Sequence, residues 1–111
     1  MNYINLTPHI VDVYDSSGKH VLSVPPSGTV ARVATKRRII RVTDDGVEIY
    51  ATKYGSCAEI KKADPGTAYI VSGKVKASYR NRGDVLSPGV LIRNSDGDVT
   101  GCVGLVALAS G

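Results

Sequence analysis

Apolar and polar residues alternate along most of this chain in short runs, with Gly, Pro, Asn, Asp and Ser clustered between them. A period of two belongs to strands, whose successive side chains face opposite ways. Ile4 to Leu6, apolar around Asn5, starts a short strand. Thr7-Pro8-His9 interrupts it, because proline has no N–H to give a ladder. Ile10 to Tyr14 and His20 to Val24 predict a hairpin around Asp15-Ser16-Ser17-Gly18. Pro25-Pro26-Ser27-Gly28 breaks the pattern, and Thr29 to Ala34 resumes it as a further strand. Thr35 to Arg38 reads as a connection into a strand from Ile39 to Thr43. Asp44-Asp45-Gly46 is a hairpin turn into Val47 to Thr52, which alternates cleanly.

In the second half, Tyr54 to Ile60 fits a strand broken by Gly55, and Pro65-Gly66 turns the chain into Thr67 to Ser72, apolar nearly throughout and therefore central. After Gly73 two periods compete. Val71, Val75 and Tyr79 repeat every four residues, as in a helix, whereas Val75, Ala77 and Tyr79 alternate, as in a strand. The helix is preferred. Ser72 would cap it, Arg80 and Arg82 would occupy its last turn, and Gly83 would stop it. Val90 to Arg93 and Val99 to Leu108 flank the turn Ser95-Asp96-Gly97-Asp98, with Gly101 and Gly104 marking bulges or close backbone approach. Ala109-Ser110-Gly111 is a loose tail.

These elements sum to a mainly β protein, a small barrel or sandwich of about seven or eight short strands with one short helix after Ser72. Strands do not alternate with long helices, which argues against a doubly wound parallel sheet. A chain of 111 residues suffices for a single domain, 1–111.

Composition agrees with a globular chain, 42% hydrophobic and 22% charged. No apolar run approaches the roughly 20 residues of a membrane-spanning helix, and MNYINLTPH has neither the basic start nor the apolar centre of a secretory signal. A cytoplasmic location is expected. Cys57 and Cys102 lie outside any C-x-x-C pair and read as small buried apolar side chains rather than a disulfide or metal ligands. No metal or cofactor is expected. The chain has six Tyr but no Phe or Trp, so rings pack through tyrosine or line a pocket with it.

Charge is uneven. Lys and Arg total 14 against 10 acids, a formal +4. Arg32, Lys36, Arg37, Arg38 and Arg41 form one basic run, and Lys74, Lys76, Arg80 and Arg82 another, neither interrupted by an acid. An anionic partner follows, whether nucleic acid or a free nucleotide, unless these are solvated faces. No aromatic residue is interleaved with the first run, so base stacking on it is not suggested.

Hydrolase, zincin, P-loop and dinucleotide-binding signatures are absent from the sequence, and no enzymatic activity is expected. Candidate ligand contacts concentrate on the loop after the central strand. Arg80 and Arg82 offer planar forks suited to phosphate, and Asp84 could orient one of them or accept from a ribose hydroxyl. The structural alternative is an Arg–Asp pair that pins the loop. Gly83 and Gly89 would let a ligand approach the backbone. Ser72 either caps the helix or helps its free N–H groups hold an anion. His9 is either a buried, hydrogen-bonded imidazole or part of a polar pocket wall with Thr7.

Asn5-Leu6-Thr7-Pro8-His9, the Pro26-Ser27-Gly28 turn before Val30-Ala31-Arg32-Val33, Tyr69-Ile70-Val71-Ser72, Arg82-Gly83-Asp84, Pro88-Gly89 and Arg93 with Asp96-Gly97 resemble a family of small tailed-bacteriophage and prophage proteins. The likeness spans nearly the whole chain but not the basic stretch around Lys36-Arg37-Arg38. The resemblance implies a phage origin. By analogy of type it suggests a non-enzymatic, homo-oligomeric sponge that sequesters a small anionic nucleotide signal of host immunity. Arg80, Arg82, Asp84, Tyr79 and Ser72 would hold the ligand, with Thr7, His9 and Arg93 as walls. The alternative is a phage structural or nucleic-acid-binding module acting through the basic run.

Overall fold

The computed structural model describes residues 1–33 and 35–107. It contains strands β1 (Asn2–Asn5), β2 (Val11–Tyr14), β3 (His20–Val24), β4 (Thr35–Val42), β5 (Glu48–Tyr54) and β6 (Thr67–Ile70), helix α1 (Gly73–Ser78), then β7 (Val85–Arg93) and β8 (Val99–Val106). The fold is mainly β, as its alternation predicts. Six strands form one curved sheet in the order β1-β6-β7-β8-β2-β3, and β4 pairs with β5 alone.

The six-stranded sheet nearly closes into a barrel. Its outer strands β1 and β3 lack a ladder between them, and the ends of both are joined by Asn5. The Asn5 amide donates to the Val24 carbonyl at 2.9 Å, and the Ser27 N–H donates to the Asn5 carbonyl at 2.9 Å. Asn5 is 1% exposed, so these bonds form without competing water.

Parallel pairing resolves the ambiguity after Gly73. β6 and β7 run parallel with Tyr69 opposite Val85, and a parallel neighbour requires a crossover. Residues 71–84 supply it through α1, with Ser72 as its N-cap accepting from the Val75 N–H. The helix is shorter than its period suggests. It ends at Ser78 with Tyr79 as C-cap, so Arg80 and Arg82 lie beyond its last turn and Gly83 does not stop it. Lys76 holds the turn that follows. Its ammonium, buried at 6% exposure, donates to the Tyr79 and Arg82 carbonyls, both at 3.0 Å. Burial pushes its pKa down, against the pull of Asp84.

The sheet buries both faces. Val11, Val13, Val24, Ile70 and Cys102 meet inside the barrel, with Tyr3, Leu22 and Leu105 at the margins. Tyr69, Val71 and Val85 face the other way, under Val75 of the helix and under Leu6, Ala31, Cys57 and Ile60 from the loops. This double burial is why Tyr69-Ile70-Val71 is continuously apolar, since each successive side chain enters a different cluster. Both cysteines are buried free thiols, and burial raises the pKa of each.

Several boundaries depart from the periodicity. Residues 29–33 form no strand, although Ala31 is buried and its N–H donates to the Leu6 carbonyl at 3.0 Å. Ala34, the predicted end of that strand, lies outside the described residues. Residues 55–60 also form no strand. Their loop is instead tied down by two tyrosines, whose hydroxyls accept from the Cys57 N–H (Tyr79, 2.6 Å) and the Lys61 N–H (Tyr69, 3.3 Å). Thr35 to Arg38 is not a connection but the first half of β4, and β7 begins at Val85, five residues earlier than Val90. β8 ends at Val106, and the predicted last strand residue Leu108 and the tail 109–111 fall outside the described residues. Gly101 makes the close approach expected of it, because a Cβ there would meet the Tyr14 ring and the Asp12 carbonyl.

Candidate functional site

The eight residues nominated from sequence do not converge on one place. Thr7, His9 and Ser72 line a cavity of about 770 Å3 beside β2 and β8, together with Asp12, Asp98 and Thr100. The Asn5-to-His9 turn forms one wall. Asn5 Oδ1 accepts from the Thr7 N–H (2.9 Å) and hydroxyl (2.7 Å), while the Asn5 amide reaches the His9 carbonyl at 2.8 Å. His9 itself is exposed, so the buried-imidazole alternative is set aside and it belongs to the cavity wall. Asp12 is held below the usual carboxylate range, chiefly by the Ser23 hydroxyl and then by His20. Among the described residues, no lysine or arginine lines this cavity, and His9 is its one imidazole.

Arg82 and Asp84 lie elsewhere and engage each other. The Arg82 guanidinium donates twice to the Asp84 carboxylate, both bonds at 2.7 Å, and once to the Lys61 carbonyl at 3.0 Å. The pair raises the arginine's pKa and lowers the aspartate's. Arg82 thus pins the 79–84 segment to the loop that precedes β6, and its fork is occupied. Asp84 and Gly83 border a separate recess of about 450 Å3 near Tyr3 and Asp64. Tyr79 packs against the core with its hydroxyl on Cys57. Arg80 is exposed just past the helix. Arg93 donates to the Gly97 carbonyl at 2.8 Å across the β7–β8 hairpin. Ser72 caps α1 and also lines the cavity; of the two jobs considered for it the cap is the one seen, and a six-residue helix gives no support for anion binding. Gly89 faces the Val103 and Gly104 carbonyls of β8 rather than open space.

The strongest concentration of charge is on the β4–β5 ribbon. Every described residue of β4 is exposed, and the two strands contact chiefly one another. The radius of gyration, 16.8 Å, exceeds the roughly 13 Å of a compact domain near this length, as expected when a hairpin projects from a barrel. Register sorts its side chains. Lys36 opposes Lys53, Arg38 opposes Ala51 and Arg41 opposes Ile49, which puts four cations on one face with no acid among them. The other face carries Arg37, Ile39, Tyr50 and Glu48, with the Arg37 guanidinium 4.2 Å from the centre of the Tyr50 ring. A register shift at Ile39/Arg41 marks a bulge that brings Arg41 into line with the cationic face.

Sequence reasoning saw the basic run and the returning strand Val47 to Thr52, but ended that strand one residue short of Lys53. Lys53 was the missing member. Reflecting β4 across the Asp44-Asp45-Gly46 turn sets Lys53 against Lys36, a signal present in the sequence once the first half of β4 is read as strand. Asp12, Asp98 and Thr100 carry no such signal, because only the β2–β8 pairing brings them to the cavity. Among the described residues, no group of His, Cys, Asp and Glu could hold a metal ion, and no helix is long and apolar enough to cross a membrane. No family model, curated protein or solved structure matches the chain.

Proposed function

We propose that this protein is a non-enzymatic binding module for nucleic acid and that the β4–β5 ribbon is its contact element. One observation carries the reading: Lys36, Arg38, Arg41 and Lys53 share one exposed face without a neutralising acid. Like charges placed opposite each other weaken a ribbon. An exposed two-stranded hairpin has little stability of its own to offset this. A polyanion supplies what the ribbon lacks, because each phosphate that replaces a counterion releases it to solvent. The test is binding of the whole protein to nucleic acid as salt is raised. Four phosphate contacts give a slope of log affinity against log salt of about −3 to −4. Changing Lys36, Arg37 and Arg38 together to glutamine should lower affinity and flatten that slope. Unaltered binding by this variant removes the ribbon from the interface.

A second reading is a phage-borne, homo-oligomeric sponge for a small anionic nucleotide signal, acting in the host cytoplasm. What favours it is that Thr7, His9 and Ser72 border one cavity of about 770 Å3, within the size range of small-ligand sites. The Arg82–Asp84 pair moves the phosphate-binding role away from Arg82 and leaves the exposed Arg80 as a cation of that reading, with His9 a polar group of the cavity wall. Native mass spectrometry of protein purified gently from phage-infected, defence-active cells tests it. A stoichiometric adduct of nucleotide mass supports the sponge, and a clean oligomer from cells making the messenger counts against it.

A further inference from the structure

The basic ribbon has a shape as well as a charge, and shape separates the kinds of nucleic acid it would bind. We infer that the β4–β5 ribbon docks in the major groove of B-form duplex DNA, an inference that rests on the nucleic-acid reading above.

Paired strands lie about 4.8 Å apart, and eight residues of strand extend roughly 26 Å. A two-stranded ribbon of this size, with eight residues in β4 and seven in β5, fits a groove about 12 Å wide, whereas one about 6 Å wide leaves almost no room for side chains beside strands already about 4.8 Å apart. It is also shorter than the roughly 34 Å of one duplex turn, so it lies along the groove without bending the DNA. The major groove of A-form RNA is deep and narrow and excludes it.

Single strands are disfavoured for a different reason. Proteins that bind them stack unpaired bases on aromatic rings. The chain has no Phe or Trp, and Tyr50 on the ribbon has one ring face covered by Arg37 and its hydroxyl near Glu48. Between the cations on the contact face lie Ile49 and Ala51, partly exposed aliphatic side chains. Such groups meet thymine methyls in a major groove, and the cations beside them reach guanine edges or phosphates. Asp44 and Asp45 at the tip repel phosphate, which centres the contact on Lys36, Arg38, Arg41 and Lys53 below the tip.

Fluorescence anisotropy with three probes of one sequence decides it: a DNA duplex of about 16 base pairs, the matching RNA duplex and the DNA single strand. The expected result is a duplex-DNA affinity at least tenfold above either of the others, on the order of the discrimination that one good base contact gives. A variant with Lys36, Arg38, Arg41 and Lys53 changed to glutamine should lose that preference. One with Lys61, Lys62 and Lys74 changed to glutamine should keep it. Circular dichroism confirms that both variants are folded. Equal or tighter binding to the RNA duplex or the single strand overturns groove docking and leaves the nucleic-acid reading standing. Binding to none of the three at low salt overturns both.

Discussion

The Asn5 amide stands 2.9 Å from the Val24 carbonyl, and that bond fastens the end of the first strand to the end of the third. The same side chain holds the Thr7 N–H, the Thr7 hydroxyl and the His9 carbonyl, so one buried amide closes the barrel and folds the turn after it. Replacing Asn5 with Leu removes a donor from two carbonyls and an acceptor from two donors. A loss on the order of 3 kcal/mol is expected, since a stranded buried polar group costs about 1–3 kcal/mol. Urea denaturation reads it as a lower midpoint with an unchanged slope. A wild-type midpoint would show that the barrel closes by other means.

Asp84 supplies a pH dependence. The Arg82 guanidinium holds its carboxyl below the ordinary 3.8, so the unfolded chain takes up this proton more readily than the folded one. The stabilisation is therefore complete above the ordinary carboxylate value and disappears as pH falls through the depressed one. Asp84→Asn should cost about 1–2 kcal/mol at neutral pH, allowing for partial exposure of the pair. The gap between variant and wild type should narrow at acid pH, well below the ordinary carboxylate value of 3.8. Denaturation midpoints at the two pH values test this, and a constant gap would trace the effect to packing rather than charge.

Stability and binding should separate on the ribbon. Lys53→Glu places opposite charges across the strands from Lys36, so amide exchange in β4 and β5 should slow. The same change removes one cation from the proposed contact face and adds an acid to it. Nucleic-acid affinity should fall by roughly tenfold or more, with a shallower salt slope. Faster exchange with intact binding would reject this account of the face.

Gly101 lies against the Tyr14 ring and the Asp12 carbonyl. A Cβ there pushes β8 away from β2 where the two pair at Val13 and Cys102. Gly101→Ala should destabilise by about 1–3 kcal/mol, the usual cost of overpacking. By contrast, Gly73→Ala meets open space at the first turn of α1 and should be neutral or better. The two melting temperatures together distinguish a steric clash from a general loss of glycine.

The alternation of Val11 to Tyr14 and of His20 to Val24 was enough to place both strands, because they pair with each other across a turn of unambiguous chemistry. Thr29 to Val33 alternates equally well yet makes no ladder, since its apolar residues are used to cover the outer face of the sheet. Periodicity reports which side is buried, not whether a partner strand is present. The reverse error fell on Thr35 to Arg38, where four polar residues in succession concealed a strand that buries neither face. The candidate site was least legible where partners are distant. Arg82 and Asp84 are two residues apart, and their pairing could be weighed from sequence. That the pair borders a different recess from Thr7, His9 and Ser72 depends on how β1, β2, β7 and β8 are ordered, and local sequence carries none of that order.

The strand order also sets a timetable. β1 pairs with β6 and β2 with β8, so the early strands depend on partners made much later. A chain emerging from the ribosome holds β2 and β3 as a hairpin with one edge open until β8 arrives, and slow closure of such distant pairings leaves those edges available to neighbouring chains. The ribbon escapes this wait, because β4 and β5 are adjacent and joined by a tight turn. Its pairing needs no later strand, and its like charges keep nascent chains apart while the barrel is still incomplete. The element proposed to attract DNA in the finished protein would, during synthesis, keep one copy from aggregating with the next.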